Sequence, residues 1–382
     1  MRLPRRLTAS VAASALVVTA LTGCDSDTET GDTTQIVIGA DLAAADFAYA
    51  RGLQLKVEQV NASGVLGSRK LVLRVLDNRS DPTTSLRNIS TFAKDPAVAA
   101  VITGACDDCV VDAAKTINDE RIPTIALAAA DEVTTPVESR RYVFKLGPNS
   151  TDSTAAIVAE LIRRNAKSAA LIYSDDLYGR GAQKKLETQL KKAKISVASR
   201  AVKPTATEIS QTVGTLTDAK PDALVVLTGT DQATLAATSA NAAGFTGGVY
   251  FDAAAAGDLF VPQAAATATD QATMVFTQIL AIDDVIATTP AKAARKQWFR
   301  DYTSRYGSYS GVASFAADAV ELIADAVGKV GGDRQRIRDV LETSQTDGLA
   351  GPIRLTPDNH SGLMPQALTL LVARKGRWRL LS

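Results

Sequence analysis

The 382 residues hold one histidine, His360, and three cysteines, Cys24, Cys106 and Cys109, so the imidazoles and thiolates on which most zinc sites and Ser-His-Asp nucleophilic systems depend are scarce. So thin a supply argues against most hydrolases, and we expect no metal, no cofactor and no enzymatic activity. A surplus of one charge is missing too. The 42 basic and 41 acidic side chains are mixed along the chain for a formal charge of +1, which leaves no electrostatic footprint for a polyanion. Nucleic acid is therefore not expected as a partner. No nucleotide-binding loop occurs, so an ATP-driven step would have to come from other chains. What the chain does have is an ordinary balance, 46% hydrophobic and 22% charged, over a length that suits two domains.

The first residues read as an address. Arg2, Arg5 and Arg6 form a positive region, residues 9–20 are apolar and small, and Leu21-Thr22-Gly23-Cys24 follows. The apolar run is shorter than the roughly 18 to 20 residues that span a bilayer, which disfavours an uncleaved transmembrane helix. The Leu-Thr-Gly-Cys ending resembles a bacterial lipobox. That resemblance implies a signal peptide at 1–23 and a mature chain that starts at an acylated Cys24, exported and anchored to the outer face of the cell membrane. Residues 25–34 are polar apart from small glycine, so 24–34 is expected to be a solvated tether.

Beyond the tether, short β-branched runs alternate with stretches of helical apolar spacing. Strands are expected at 36–39, 71–76, 99–103 and 124–127, with helices at 47–61, 82–93 and 110–118. The pattern resumes with strands at 169–173, 195–201, 223–227 and 249–251 and helices near 179–193, 208–219 and 232–243. Two successive parallel α/β units follow from this. The last third adds helices at 292–306, 312–329 and 334–342 and strands at 352–355 and 368–373, so the chain is expected to return and complete both domains.

Several segments sit in this order: Asn61-Ala62-Ser63-Gly64-Val65-Leu66-Gly67, Asp77-Asn78-Arg79-Ser80-Asp81-Pro82, Ile122-Pro123-Thr124-Ile125, and Asp175-Asp176-Leu177-Tyr178-Gly179-Arg180-Gly181. In sequence and spacing they resemble the type I periplasmic binding proteins, specifically the leucine/isoleucine/valine-binding receptors of ABC importers. Each also has a plain structural reading. Asn61 and Gly64 suit a helix end, and Asp81 can cap a helix that opens at Pro82. The resemblance implies an α/β fold of two doubly wound parallel-sheet domains joined by a multi-crossing hinge, with one domain from 35–146 and 277–350 and the other from 147–276 and 351–382. It also implies a monomer that captures an amino acid or a related small amine or amide compound and passes it to a permease and an ATPase on other chains. A sensing receptor built on the same clamp is the alternative.

Ligands of open parallel sheets bind beyond the carboxyl ends of the strands, and the loops there are acidic. Asp41, Asp46, Asp107, Asp108, Asp131 and Glu132 occupy such loops in the first unit, and Asp175, Asp176, Asp231 and Asp252 in the second, with Arg180 the one nearby base. By the family's pattern the ligand is expected to meet Asp107, Asp108, Ala128, Ala130, Tyr178, Thr230, Asp231 and Asp252. The hydroxyls that family members use for a ligand carboxylate are replaced by Ala105 to Asp108 and Ala128 to Ala130. We therefore expect a ligand bearing an amine, amidine or amide and little negative charge. Aspartate is also a common helix cap, so Asp107 or Asp108, Asp131 and Asp231 could serve only to end turns.

With Cys24 acylated, Cys106 and Cys109 are the remaining thiols of an exported chain, and an even pair there points to a disulfide. A redox-active Cys-x-x-Cys is the sharper alternative, against which the flanking aspartates count, because they disfavour a thiolate. His360 is expected in a turn between late strands, with no assigned role.

Overall fold

The computed structural model describes residues 34–256 and 265–381. The leader, Cys24 and the tether as far as residue 33 lie outside the described residues. Within them two parallel sheets form. The first has the strand order β2-β1-β3-β4-β5, from β1 (Thr34–Leu42), β2 (Arg69–Asp77), β3 (Val98–Thr103), β4 (Thr124–Ala126) and β5 (Val143–Lys145). Every residue of β3 is buried, as expected of a central strand covered on both faces. The connecting helices are α1 (Phe47–Ser63), α2 (Pro82–Lys94) and α3 (Asp107–Asp119). Asp81 caps α2 through the Thr84 amide at 2.8 Å with proline in the first turn, and Gly64 ends α1 in the left-handed region.

The second sheet runs β14-β13-β10-β9-β8-β6-β7. Its parallel part comprises β6 (Ser168–Ser174), β7 (Ser196–Val202), β8 (Ala223–Leu227), β9 (Gly248–Phe251) and β10 (Thr273–Thr277). The late strands β13 (Leu368–Arg374) and β14 (Arg377–Leu380) add an antiparallel edge. Helices α4 (Ser150–Arg163), α5 (Leu177–Lys192), α6 (Ser210–Thr217) and α7 (Thr230–Ala242) serve this sheet. The chain then goes back. Helices α8 (Pro290–Tyr306), α9 (Ala313–Val330) and α10 (Arg334–Leu341) join the first lobe, where Lys56 and Glu58 of α1 pair with Glu321 of α9 and Arg305 of α8.

The chain thus crosses between lobes after β5, after β10, and between α10 and β13. The third crossing carries the small hairpin of β11 (Gln345–Asp347) and β12 (Pro352–Arg354). It lies beside the first, because the Lys145 amide donates to His360 O at 2.9 Å and the Gly362 amide to Lys145 O at 2.8 Å. His360 is fully buried there, stacked on Phe144 at 4.4 Å, with Nδ1 2.9 Å from Val143 O. It packs at the hinge.

A candidate solute-binding cleft between the lobes

Each loop that leaves the carboxyl end of a strand leads into a helix or a 3-10 turn, and the aspartates sit at those transitions. Two groups of them matter here. Asp41 ends β1 fully buried and accepts from Ser85 Oγ at 2.6 Å, Asn88 Nδ2 at 2.8 Å and Asn78 Nδ2 at 3.0 Å. Burial raises its pKa even so. It ties β1 to α2 and takes no part in the cleft wall. Asp46, also buried, accepts the Ala43 amide at 3.0 Å and is held by the Ala105 backbone amide across the turn. A Cβ on Gly104 would lie 1.9 Å from Asp46 Oδ2, so only glycine leaves room for that carboxylate.

The second group faces a cavity of about 210 Å³ between the lobes. The first lobe contributes Tyr49, Ala105, Asp107, Leu127, Ala129, Val312 and Phe315; the second contributes Ser153, Asp176, Tyr178, Gly229 and residues 252–254, with Gly147 and Pro148 of the hinge between them. Asp107 opens α3 and accepts the Ala130 amide on Oδ1 at 2.7 Å. Protein surrounds the carboxyl closely while solvent still reaches the residue. That burial, only partly offset by the Ala130 amide and the charge of Lys145, pushes its pKa up to about 7. Asp252 caps the turn after β9 through the Ala254 amide at 3.2 Å and accepts the Tyr178 hydroxyl. Burial pushes it up to about 6, and it and burial together hold the Tyr178 hydroxyl protonated. Asp176 caps α5, accepting from the Gly179 amide at 2.7 Å and from Ser174 Oγ. Tyr49 donates to Leu127 O at 3.2 Å.

Of the residues expected at the ligand, Asp107, Tyr178 and Asp252 therefore line the cavity. Ala128 and Ala130 turn into the first lobe's core, and their neighbours Leu127 and Ala129 form the wall. Asp108 and Asp231 are exposed in the first turns of α3 and α7, and Thr230 donates to Ala255 O at 3.3 Å; none of the three lines the cavity. Cys106 and Cys109 form a disulfide, Cα to Cα 5.3 Å, and Cys106 is the residue that caps α3. That bond fixes the segment from which Ala105 and Asp107 reach the cavity.

Arg180 is the one base expected near these loops, and the structure adds two more. Arg180 pairs with Asp175 at the exposed rim. Lys145 is fully buried at the hinge and gives its ammonium to the carbonyls of Gly147 at 3.0 Å, Pro148 at 3.1 Å and Ala129 at 3.3 Å. All three carbonyls belong to residues of the cavity wall. Burial lowers its pKa to about 8 against the opposing pull of Asp131 and Asp107. Lys185 of α5 reaches across to Asp131 of the first lobe at 2.5 Å and to Ser150 Oγ at 3.0 Å. A signal for Lys145 existed in Tyr142-Val143-Phe144-Lys145-Leu146, where one lysine interrupts a run with no other polar break.

A family model described as periplasmic binding protein matches residues 39–377. The "Leu/Ile/Val-binding protein homolog 8" of Brucella suis biovar 1 is 28% identical over 260 residues, which are 64% of this chain and 62% of that protein, so the match spans less than two thirds of the relative. Among solved structures, an extracellular ligand-binding receptor of Rhodopseudomonas palustris superposes with a TM-score of 0.80 at 22% identity over 91% of this chain and 99% of that one. A leucine binding protein of Thermotoga maritima gives 0.79 at 17% identity over 91% and 98%. The branched-chain amino acid transporter substrate binding protein of Streptococcus pneumoniae, in complex with isoleucine, gives 0.78 at 19% over 91% and 99%. With a family model spanning both lobes and a fold shared with these receptors over 91% of the chain, the chain belongs to the periplasmic binding proteins of type I, a family of extracytoplasmic solute-binding proteins.

Proposed function

We propose that this chain is the solute-binding lipoprotein of an ABC importer, and that it captures an amino acid or a related small amine or amide compound by closing its lobes. The observation that carries this reading is the cavity of about 210 Å³ whose walls come from both lobes, beside a hinge crossed three times. Its size suits a molecule smaller than the drug-sized ligands of roughly 300 Å³ sites and above. The solute docks on the first lobe (35–146 and 277–350), and the second (147–276 and 351–382) swings over it. Binding shifts the open-closed balance only as far as the solute prefers the closed form. The permease and ATPase are other chains that read the closed monomer, and Cys24 carries the lipid.

The test is thermal unfolding of the full chain against amino acids, amines, amides and organic acids. A solute at about a hundred times its dissociation constant adds roughly 2.7 kcal/mol of stability. An upward shift with amino acids, amines or amides supports the reading, and a shift with organic acids alone sinks it. Mass spectrometry of the membrane-extracted protein should find the chain beginning at an acylated Cys24; a chain that still carries residues 1–23 overturns the anchor.

A further inference from the structure

We propose that the cleft selects a solute with a cationic group and no carboxylate, holding the cation among Asp107, Asp176 and Asp252 and its apolar body against Tyr49, Val312 and Phe315. The inference rests on the reading of this cavity as the solute site and narrows what the site takes.

Charge is the first observation. Three carboxylates face the cavity, and among its described lining residues there is no lysine, arginine or histidine. The nearest candidate, Lys145, lies behind the wall with its ammonium spent on the carbonyls of Ala129, Gly147 and Pro148. An ammonium has three protons to donate, so none is left for an incoming anion. Lys185 is likewise committed to Asp131 and Ser150.

The use of the backbone amides is the second, independent observation. An amino-acid carboxylate would need N–H groups at the strand-to-helix turns, where helix starts favour anions. In this chain the protein's own acceptors hold most of them, the start of α7 beside Gly229 being the uncapped one. Asp46 takes Ala43 and Ala105, Cys106 Sγ takes Cys109 at 3.2 Å, Asp107 takes Ala130, Asp176 takes Gly179, and Asp252 takes Ala254. A ligand carboxylate would have to displace one of these or turn to the start of α7, and in either place it would share the cavity with the carboxylates of Asp107, Asp176 and Asp252. A cation meets the opposite situation. Asp107 accepts the backbone amides of Ala130 and Ala129 and meets no cation among the described lining residues, and burial raises the pKa of both Asp107 and Asp252, a cost that a bound cation would offset.

Calorimetric titration of the full chain with three matched probes tests this: isoleucine, the amine left when its carboxylate is removed, and the acid left when its ammonium is removed. We expect the amine to bind about 10-fold or more tighter than isoleucine and the acid not to bind, with Asp107→Asn weakening the amine by about 10-fold. Isoleucine bound as tightly as the amine, or any binding of the acid, overturns the inference and leaves the solute-binding reading standing. If none of the three binds up to about 10 mM, where an affinity of only a few kcal/mol would still register, the inference falls, and the solute-binding reading falls with it only if the unfolding panel is flat as well.

Discussion

The two walls of the cleft are built from different material. The first lobe offers Tyr49, Leu127, Ala129, Val312 and Phe315 with Asp107 as its one charge, whereas the second brings Ser153, Asp176, Tyr178 and Asp252. The first wall is apolar and buried: Phe315 is 2% exposed and meets Phe276 of β10, in the second lobe, edge-on at 5.7 Å. The second wall consists of caps and hydroxyls whose partners are already assigned. Apolar surface near the core resists change because stability depends on it, while charge at helix starts can be altered with little loss of packing. The first wall should therefore set stability and the second selectivity.

The widest separation should come from substituting once on each side. Phe315→Ala removes a buried ring from the first wall and should cost about 3–5 kcal/mol of stability, measured by denaturant unfolding. Asp252→Asn keeps the shape of the second wall and removes its charge. It should weaken a cationic solute by about 2 kcal/mol or more in calorimetry while leaving the Tm of the unliganded protein at pH 8 no lower, since a buried charge is relieved. A Tm loss from Asp252→Asn as large as that from Phe315→Ala would erase the distinction.

Acidity should move stability and affinity in opposite directions. Asp107 titrates near 7, Asp252 near 6 and the buried Asp318 near 7, all above the ordinary aspartate value. Between about pH 4 and these values the folded chain binds more protons than the unfolded one, so stability falls as pH rises through that window. Lys145, lowered to about 8, reverses the slope only above that pH. Affinity for a cation should rise across the same window, as Asp107 and Asp252 ionise. Unfolding scans and titrations at pH 5 and pH 8 check both signs; affinity that falls with pH would contradict the charge role given to the cleft. A smaller effect is expected at the disulfide, where replacing Cys106 and Cys109 by serine should cost about 2 kcal/mol, the loop-closure value for so short a ring.

Much of this architecture was legible along the chain because helix and strand periods differ and turns carry their own residues. The expected strands at 223–227 and 368–373 and helices at 312–329 and 334–342 fall within a residue of β8, β13, α9 and α10. Helix α3 begins three residues before the expected 110, because Cys106 rather than a later residue caps it. The three-residue β5 and the strand β10 escaped notice; β5 is too short to show a period, and β10 is apolar without alternation. At the site, loop position alone grouped Asp41 with Asp107. What separates them is the cage of Asn78, Ser85 and Asn88, contributed by segments 37 to 47 residues away and visible only after folding. The same holds for Ala128 and Ala130, whose loop was found but whose facing depends on how β4 ends.

The smallest effect should come from an ion pair that joins the walls without lining the cavity. Lys185 and Asp131 meet at 2.5 Å with side chains 26% and 19% exposed, so water screens the pair in part and its worth is about 1 kcal/mol. It can form only while the lobes are close, as they also are where a Cβ on Gly181 would lie 3.2 Å from Glu132 Oε1. An interaction present in the closed form alone adds to closure whatever the solute is. Lys185→Met should therefore weaken every solute by a similar factor of about 5, with selectivity unchanged and small-angle scattering of the unliganded protein shifted toward a more open form. A change in selectivity would mean that the second wall's charges include Lys185, and that the cleft is less purely acidic than its lining.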